Sequence, residues 1–367
     1  MSVSHANTLL PRPQRLTLLE GRMGWPEANA RWLRESIETG GAPAGCPQEP
    51  LVQVVIESTA FGSAEAYRLD VYGGRVVLKA GGVAGRYYGL RTLSQWIDGR
   101  DWVEAVAIED WPDFPVRGVM LDISRDKVPT QNTLCQIIPL LAGWKINQVQ
   151  LYMEHTFAYE GHEVVWENAS PMTSSEIRAL DQLCQLHHIE LVPNQNSFGH
   201  MHRWLKHDAY KHLAEVPEGV EHAFSPEPEP FGLCPSEPEC VTFLDGLYDQ
   251  LLPCFSSRVF NVGLDETIDL GKGRTAEKCK ALGTGRVYLE FVESIATLVH
   301  SRGFEMQMWA DIVLEHKSLT EDLNKDITLL IWGYERGHPF DDQCQRVRDA
   351  GHPFYVCPGT SAWNAIA

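Results

Sequence analysis

An α/β fold is predicted for this chain: a (β/α)8 barrel of the TIM type, preceded by a small α+β domain. From residue 116 onward, short apolar strand patterns alternate with patterns of helical period, an order typical of parallel barrels. The residues before 110 follow another order, in which a hairpin signal precedes a single helix. The length of 367 residues also favours two domains, which we place at residues 1–110 and 111–367.

The first 50 residues of the predicted N-terminal domain are expected to be irregular, because they contain six prolines and no clear periodicity of apolar residues. Three strands and one helix are predicted after them: strands over 51–57, 67–72 and 75–80, and a helix over 84–97. Gly73 and Gly74 join the second and third strands, and both tolerate the positive φ of a tight hairpin. Pro112 and Pro115 then mark a stiff junction between the domains.

Seven strand patterns follow in the predicted barrel: residues 116–123, 146–153, 189–193, 258–266, 304–309, 327–332 and 353–357. Helices are predicted among them over 130–143, 173–188, 284–302 and 341–350. The second helix opens with Thr173-Ser174-Ser175-Glu176, which has the spacing of a capping box. No eighth strand pattern follows, so we expect the barrel to be incomplete at its C-terminal end or closed by another element.

The fourth strand pattern, R-V-F-N-V-G-L-D-E, ends in two adjacent carboxylates, Asp265 and Glu266. Ligands of parallel α/β folds bind at the carboxyl ends of the strands, so this pair is a candidate active site. Alternation along the strand turns one set of side chains toward the barrel interior, namely Asn261, Gly263 and Asp265. The alternative interpretation is that Asp265 caps the next element and Glu266 is solvated.

The composition excludes some classes of partner and favours others. With 31 basic and 49 acidic residues, the chain has a net charge of −18, which repels nucleic acid and anionic membranes. The 11 tryptophans suit a sugar ligand, because sugars bind through aromatic faces and hydrogen bonds. Nine singly spaced cysteines, no secretory signal and no long apolar run predict a cytoplasmic protein with reduced thiols.

Three motifs carry a resemblance to a known family. Residues 110–125 read D-W-P-D-F-P-V-R-G-V-M-L-D-I-S-R, residues 261–266 read N-V-G-L-D-E, and residues 85–95 read G-R-Y-Y-G-L-R-T-L-S-Q. The first motif resembles the opening of the catalytic barrel in family 20 glycoside hydrolases, the β-N-acetylhexosaminidases. The second is similar to the adjacent Asp-Glu pair of that family, and the third to the α+β domain that precedes its barrel.

The resemblance implies an exo-β-N-acetylhexosaminidase that removes terminal β-linked N-acetylglucosamine or N-acetylgalactosamine from a small glycan or glycoconjugate. In this family the 2-acetamido oxygen of the substrate attacks the anomeric carbon, so that an oxazolinium intermediate forms and configuration is retained. Glu266 is then expected to be the general acid and base, and Asp265 to accept the acetamido N–H. The resemblance implies no cofactor and no metal.

Two further site residues are implied by their positions. Arg125 matches the arginine that holds the 3- and 4-hydroxyls of the sugar, with an ion pair to Asp126 or another acid as the alternative. His200, in Ser-Phe-Gly-His, resembles a histidine that braces the site. A metal site at His200 and His202 is the alternative for that residue.

Tryptophans lie at the ends of three consecutive strands. Trp309 and Trp332 end the fifth and sixth strands and Trp363 follows the seventh, so we expect them to wall an acetamido pocket rather than to be core alone. Tyr334 is expected to add a hydroxyl contact. After the second strand, where many family members carry a carboxylate pair, this chain has Glu154 and His155, either of which is expected to contact the Asp-Glu pair.

Two other functions stay open at this point. If the end of the barrel is missing, the chain would be a catalytically impaired, truncated sugar-binding fragment. A metal-dependent hydrolase built on the histidine-containing connection 194–235 would instead lose its activity with a chelator, an outcome that we do not expect.

Overall fold

The computed structural model describes residues 9–41, 45–49, 51–125 and 127–359. These residues form two compact units. The first contains the described residues up to Val119 together with Asn132–Gln148 and Gln182–Glu190, and the second contains the remaining described residues. The domain boundary that we placed at residue 110 stays a prediction.

Five strands form the mixed sheet of the first unit: β1 (Arg15–Gly24), β2 (Leu51–Ile56), β3 (Tyr67–Tyr72), β4 (Arg75–Ala80) and β5 (Trp102–Asp110). Their order in the sheet is β1-β5-β3-β4-β2. β2 pairs in parallel with β4, and the other neighbours are antiparallel. Gly73 and Gly74 join β3 to β4 with φ of 55° and 75°, which confirms the predicted hairpin.

Two helices of the first unit precede the barrel strands: α1 (Glu27–Glu38) and α2 (Val83–Ile97). α2 contacts β3 and β4 and buries Tyr87, Leu90 and Leu93, which recur at helical spacing. The predicted helix over 84–97 is therefore confirmed.

The expectation that residues 1–50 are irregular is wrong for much of this segment. β1 pairs with β5 at the edge of the sheet, and nearly all of its residues are exposed, so it shows no alternation of apolar and polar residues. α1 follows directly after Pro26, which therefore lies at the start of a helix, where proline is tolerated, and does not interrupt one. β5, outside this segment, is likewise not predicted from the sequence, although its buried face includes Val106 and Ile108.

Each of the seven predicted barrel strands is present. They are β6 (Gly118–Asp122), β7 (Gln148–Tyr152), β8 (Glu190–Val192), β9 (Val259–Asn261), β10 (Glu305–Trp309), β11 (Thr328–Gly333) and β12 (Phe354–Pro358). β6, β7 and β8 are neighbours in chain order, as are β9 to β12, whose pairs are parallel. A parallel bridge links Asn194, which follows β8, to Asn261, the last residue of β9.

Ten α-helices lie among these strands in the described part of the chain, besides two single-turn 3-10 helices: α3 (Gln131–Gly143), α4 (Glu163–Trp166), α5 (Ser174–Leu186), α6 (His202–Leu205), α7 (Pro238–Leu251), α8 (Ala276–Leu282), α9 (Thr284–Ser301), α10 (Asp311–Glu315), α11 (Lys317–Asp322) and α12 (Phe340–Asp349). The predicted capping box opens α5: Thr173 N–H donates to the Glu176 carboxylate at 2.8 Å, and Glu176 N–H donates to Thr173 Oγ1 at 3.3 Å. No described helix has both the length and the apolar character needed to span a bilayer.

Buried amide side chains connect β9, β7 and β10. Asn261 Nδ2 donates to Gln150 Oε1 at 2.9 Å, and Gln150 Nε2 donates to Gln307 Oε1 at 2.9 Å. Phe260, the preceding residue, instead meets the ring of Tyr248 on α7 at 4.8 Å between centroids. The two faces of β9 therefore alternate as predicted, with the apolar side chain toward a helix.

Candidate active site

The Asp265-Glu266 pair lies on an irregular turn, and the prediction that a regular strand reaches it is wrong. The strand ends at Asn261, and φ is positive at Gly263 (73°), Leu264 (71°) and Glu266 (46°). A Cβ on Gly263 would lie 2.3 Å from Asn196 Oδ1, so glycine is required there by both space and conformation. Leu264 also has a positive φ, a backbone conformation that residues with branched side chains rarely adopt, so its backbone is strained.

Neighbouring elements hold this turn in place. Val262 N–H donates to Gln307 O and Trp309 N–H to Gly263 O, both at 3.0 Å, so the pairing with β10 continues past the regular strand. The hydroxyl of Tyr288, on α9, donates to Leu264 O at 2.9 Å. The strained backbone is thus bonded to two barrel elements.

The two carboxylates differ in exposure. Asp265 is 8% exposed, and its Oδ1 is buried without a hydrogen-bond partner in the described part of the chain. The side chain of Glu266 is 36% exposed, and its backbone N–H donates to Asp311 Oδ2 at 3.0 Å. Asp265 therefore offers a buried acceptor, while Glu266 can reach solvent or a bound molecule.

His200 contacts both members of the pair. Its Nε2 lies 3.3 Å from Asp265 Oδ2 and 3.0 Å from Glu266 Oε2. Because the nitrogen lies between the two oxygens, it has hydrogen-bond geometry with neither of them. Its Nδ1 lies 3.7 Å from Glu154 Oε1. Burial disfavours the charged ring, but the negative charges around it prevail and raise the pKa of His200 to about 10. The shift favours the imidazolium form of this residue at neutral pH.

Arg125 belongs to the same network. Its Nη2 donates to the Tyr152 hydroxyl at 2.9 Å, and that hydroxyl donates to Glu154 Oε1 at 3.0 Å. The guanidinium also lies 3.4 Å from Glu154 Oε1 and 3.6 Å from Asp122 Oδ2. Burial opposes its charge, but these neighbours together raise the pKa of Arg125. The Arg125 side chain is 14% exposed, so it forms ion pairs and still reaches the surface of the site.

Of Glu154 and His155, the structure brings only Glu154 to the pair. Glu154 is fully buried, and burial raises its pKa although the charge of His200 opposes the shift. His155 points elsewhere: burial and the positive charges of Arg203 and Lys206 lower its pKa to about 4. Glu154 thus contacts the pair through His200.

The structure describes two of the three predicted tryptophans. Trp309 is 4% exposed at the end of β10. Trp332, near the end of β11, is half-buried, and its ring centroid lies 5.5 Å from that of Tyr334. Burial raises the pKa of Tyr334, and the charges of Asp265 and Glu266 contribute in the same direction. Trp363 lies outside the described residues, as does Asp126.

A third carboxyl group, Asp311, joins the pair. Burial and the charges of Asp265 and Glu266 raise the pKa of Asp311 to about 7. The sequence does not predict that Asp311 contacts Glu266, because 45 residues separate the two. Nor does it predict Tyr152 at the site, although strand alternation places Tyr152 and Gln150 on the same face of β7.

The geometry also bears on the metal alternative. His200, Asp265 and Glu266 bring ligand atoms within 4.8 Å of one another, whereas His202 is not part of that group in the described residues. The ring of His202 instead stacks on Phe231 at 5.9 Å between centroids. A metal would require a neutral His200, and its raised pKa opposes this.

Comparison with known proteins identifies the family. Residues 114–363 match "Glycosyl hydrolase family 20, catalytic domain", and residues 7–111 match "Glycosyl hydrolase family 20, domain 2". The chain belongs to glycosyl hydrolase family 20. Its predicted (β/α)8 barrel with a preceding α+β domain is the fold of family 20 structures: a Flavobacterium johnsoniae chitobiase aligns with a TM-score of 0.78 at 21% identity, covering 96% of this chain and 59% of that one.

The curated relatives are longer than the segments of them that match this chain. Hexosaminidase D of Bos taurus is 29% identical over 191 residues, which are 51% of this chain and 52% of the relative. Lacto-N-biosidase of Bifidobacterium bifidum is 25% identical over 260 residues, which are 68% of this chain and 22% of the relative. The chain thus spans about half or less of the curated relatives it matches.

Proposed function

We propose that this protein is an exo-β-N-acetylhexosaminidase that hydrolyses terminal β-linked N-acetylglucosamine or N-acetylgalactosamine with retention. The observation that carries the proposal is Asp265: Oδ2 contacts His200, while the buried Oδ1 has no hydrogen-bond partner in the described part of the chain. An unpaired buried acceptor is costly, and the N–H of a substrate acetamido group would satisfy it. The activities named for relatives, hexosaminidase and exo-β-N-acetylglucosaminidase, support this substrate class.

In the first step the substrate's acetamido oxygen forms a bond to the anomeric carbon, and the glycosidic bond breaks. Asp265 accepts the acetamido N–H, orients the group and offsets the positive charge that develops on it. Glu266 transfers its proton to the departing oxygen. Its side chain is 36% exposed, so it can reach a bound molecule. The imidazolium of His200 limits the mutual repulsion of the two carboxyl groups.

In the second step water attacks the anomeric carbon from the face that the leaving group vacated. Glu266, now a carboxylate, takes the proton from that water, and the acetamido oxygen departs to regenerate the acetamide. Two displacements at one carbon retain its configuration. No carboxylate nucleophile is required, so the two adjacent carboxyl groups can serve different atoms.

The remaining predicted residues would bind the sugar. Arg125, held by Tyr152 and Glu154, would donate to ring hydroxyls from a guanidinium that is fixed in orientation. Trp309 and Trp332 would wall the acetamido methyl group and the pyranose face, and Trp363 is proposed for the same wall. Tyr334, 39% exposed near the pair, would add a hydroxyl contact.

Replacing the proposed acid tests this function. With a fluorogenic N-acetyl-β-glucosaminide, Glu266→Gln is expected to lower kcat by about 10²- to 10⁴-fold, the usual effect of losing a general acid. Glu293→Gln, an exposed position on α9, is the matched control and should retain wild-type turnover. Sugar binding by the wild type without turnover would contradict the proposal and favour a binding fragment.

The nucleophile is tested with an inhibitor. If the acetamido group attacks, a thiazoline that mimics the cyclic intermediate should inhibit at least about 10²-fold more strongly than the product sugar, as expected for a high-energy intermediate mimic. Inhibition constants measured for both compounds on the same preparation give the comparison. Accumulation of a covalent glycosyl-enzyme with a 2-fluoro sugar, detected by mass spectrometry, would refute substrate assistance.

A further inference from the structure

Two irregular segments of the second unit hold charged groups of the site. His200 lies in the connection between β8 and α7, and Glu266 lies on the turn after β9. Neither residue is part of a helix or a strand, yet His200 Nε2 is 3.0 Å from Glu266 Oε2. Contacts between the two segments must therefore maintain this distance. A buried bridging segment, residues 231–233, makes contacts of this kind.

The outer residues of the bridging segment are bonded to the chain around His200. Met201 N–H donates to Phe231 O at 2.9 Å, and Leu233 N–H donates to Phe198 O at 3.0 Å. The Phe231 ring also lies 5.0 Å from the His200 ring between centroids. The bridging segment therefore holds the backbone on both sides of the histidine.

The middle residue of the bridging segment is bonded to the chain that follows Glu266. Gly232 N–H donates to Asp269 Oδ2 at 2.8 Å, and Asp269 is 1% exposed. A Cβ on Gly232 would lie 2.6 Å from Asp269 Oδ1, so the carboxyl group packs directly against the backbone of the bridging segment. One buried carboxyl group thus joins the two irregular segments.

A tight turn connects Asp269 to Glu266. Ile268 N–H donates to Glu266 O at 2.7 Å, and Leu270 N–H donates to Thr267 O at 3.2 Å. These bonds leave the chain between the two carboxyl groups little conformational freedom. A displacement of Asp269 would therefore also displace Glu266.

Glu215 supports the same arrangement from the connection between β8 and α7. Its Oε1 accepts Thr275 N–H at 3.0 Å and Gly273 N–H at 3.2 Å, and the residue is 1% exposed. Its backbone N–H donates to Gly232 O at 3.0 Å. The chain after Asp269 is thus bonded to a residue that also holds the bridging segment.

We propose that Asp269 is a positioning residue for the general acid: through the bridging segment, its carboxyl group sets the distance between Glu266 and His200. The inference rests on the proposed function, since it takes Glu266 as the acid. It goes further by giving a role in the reaction to a buried carboxyl group that transfers no proton itself. Without this acceptor, the Gly232 N–H is left unpaired and the turn that carries Glu266 is released.

The test compares two aryl N-acetyl-β-glucosaminides that differ in their need for an acid. A dinitrophenolate leaves without protonation, whereas an unsubstituted phenol needs the proton of Glu266. In Asp269→Ala, kcat/KM should fall about tenfold or more further for the phenyl than for the dinitrophenyl substrate, because a displaced acid no longer reaches the departing oxygen. Asp269→Asn keeps an oxygen acceptor and should retain most of the activity on both.

A second variant alters the same contact from the other side. Gly232→Ala places a Cβ against the Asp269 carboxyl group and should show the same selective loss, so it decides the question if Asp269→Ala does not fold. Asp208→Ala, an exposed position in the same connection as Gly232, is the control and should leave both substrates unaffected. Thermal denaturation of every variant shows whether it is folded.

Each outcome decides the proposal. A selective loss for the phenyl substrate in both alanine variants, but not in Asp269→Asn, supports it. Equal losses for the two substrates would show a general structural role and overturn it, as would wild-type rates in folded Asp269→Ala or an equal selective loss in Asp269→Asn. The proposed function still stands in those cases if Glu266→Gln loses the phenyl substrate selectively. A wild type that hydrolyses neither substrate, or a Glu266→Gln variant that loses both equally, removes the proposed acid and its positioning residue together.

Discussion

His200 is the residue on which the charge balance of the site depends. Three carboxyl groups approach it, those of Asp265, Glu266 and Glu154, at 3.0 to 3.7 Å from its ring nitrogens. Such a group of acids would repel one another in a buried site, and one imidazolium offsets part of that cost. Glu154, in the position where many family members have a carboxylate pair, acts on Asp265 and Glu266 through this ring.

Asp311 is the residue that positions the proposed acid. Its Oδ2 accepts the Glu266 N–H at 3.0 Å, and Glu266 has a φ of 46° that a bond of this kind can maintain. Asp311→Ala is expected to lower kcat about 10- to 100-fold, since losing a partner for a buried N–H costs about 1–3 kcal/mol. Asp311→Asn keeps an oxygen acceptor and should retain more activity.

The Asp311 variants are compared by kcat, KM and the pH dependence of kcat. A positioning role predicts a lower kcat in Asp311→Ala than in Asp311→Asn, and both variants should shift the pH profile in the same way, because each removes the carboxyl group that interacts with Asp265 and Glu266. Equal losses in the alanine and asparagine variants would show that the charge of Asp311, and not its acceptor oxygen, matters. Asp326→Ala, an exposed position before β11, serves as the control.

At the scale of elements, the turn after β9 determines the chemistry more than the strand does. The regular strand has three residues, and the carboxylates lie four and five residues beyond it, in a backbone with three positive φ values. Pairing with β10 and the Tyr288 hydroxyl keep this turn in a conformation that it would not adopt alone. The strain explains why strand alternation alone could not place Asp265.

The capping box of α5 gives a prediction for a single element. Thr173→Ala removes the hydroxyl that accepts from Glu176 N–H and should lower the free energy of unfolding by about 1 kcal/mol. Thr297→Ala on α9 is the matched control: Thr297 is exposed within a helix, and alanine there should have little effect or stabilise slightly. Chemical denaturation of both variants measures the difference, and an equal effect would argue against the cap.

At the scale of the whole molecule, charge and pH determine stability. Because the folded-state pKa of His200 is raised to about 10 from an ordinary value near 6.5, the folded state binds a proton that the unfolded state releases first. Its contribution is fully present below pH 6.5 and is lost as the pH rises toward 10. Stability should fall over that window by at most about 1.4 kcal/mol per pH unit.

His200→Gln tests this dependence. The variant should be less stable near neutral pH, because it leaves the buried carboxylates without a counter-charge. It should also lose less stability than the wild type between pH 7 and 10, since the titrating ring is absent. Denaturation curves at several pH values measure both slopes, and parallel slopes would disprove the assigned pKa.

Much of the barrel could be predicted because its strands are short apolar runs separated by helical periods, and local sequence determines such patterns. The Gly73-Gly74 hairpin and the α5 cap were predictable for the same reason, since each depends on a few neighbouring residues. β1 was not, because it is an exposed edge strand that gains its hydrogen bonds from β5, whose paired residues lie 78 to 94 positions away along the chain.

The sequence by itself determined the family, the Asp265-Glu266 pair and the order of strands that brings it to one end of a barrel. The sequence also predicted His200 at the site, but only the tertiary structure brought Tyr152 and Asp311 to it, because they come from separate elements and their distances are not encoded in local spacing. It also decided that Glu154 reaches the site and His155 does not. The physical reason is that pKa and orientation depend on burial and on neighbouring charges, which exist only once the chain has folded.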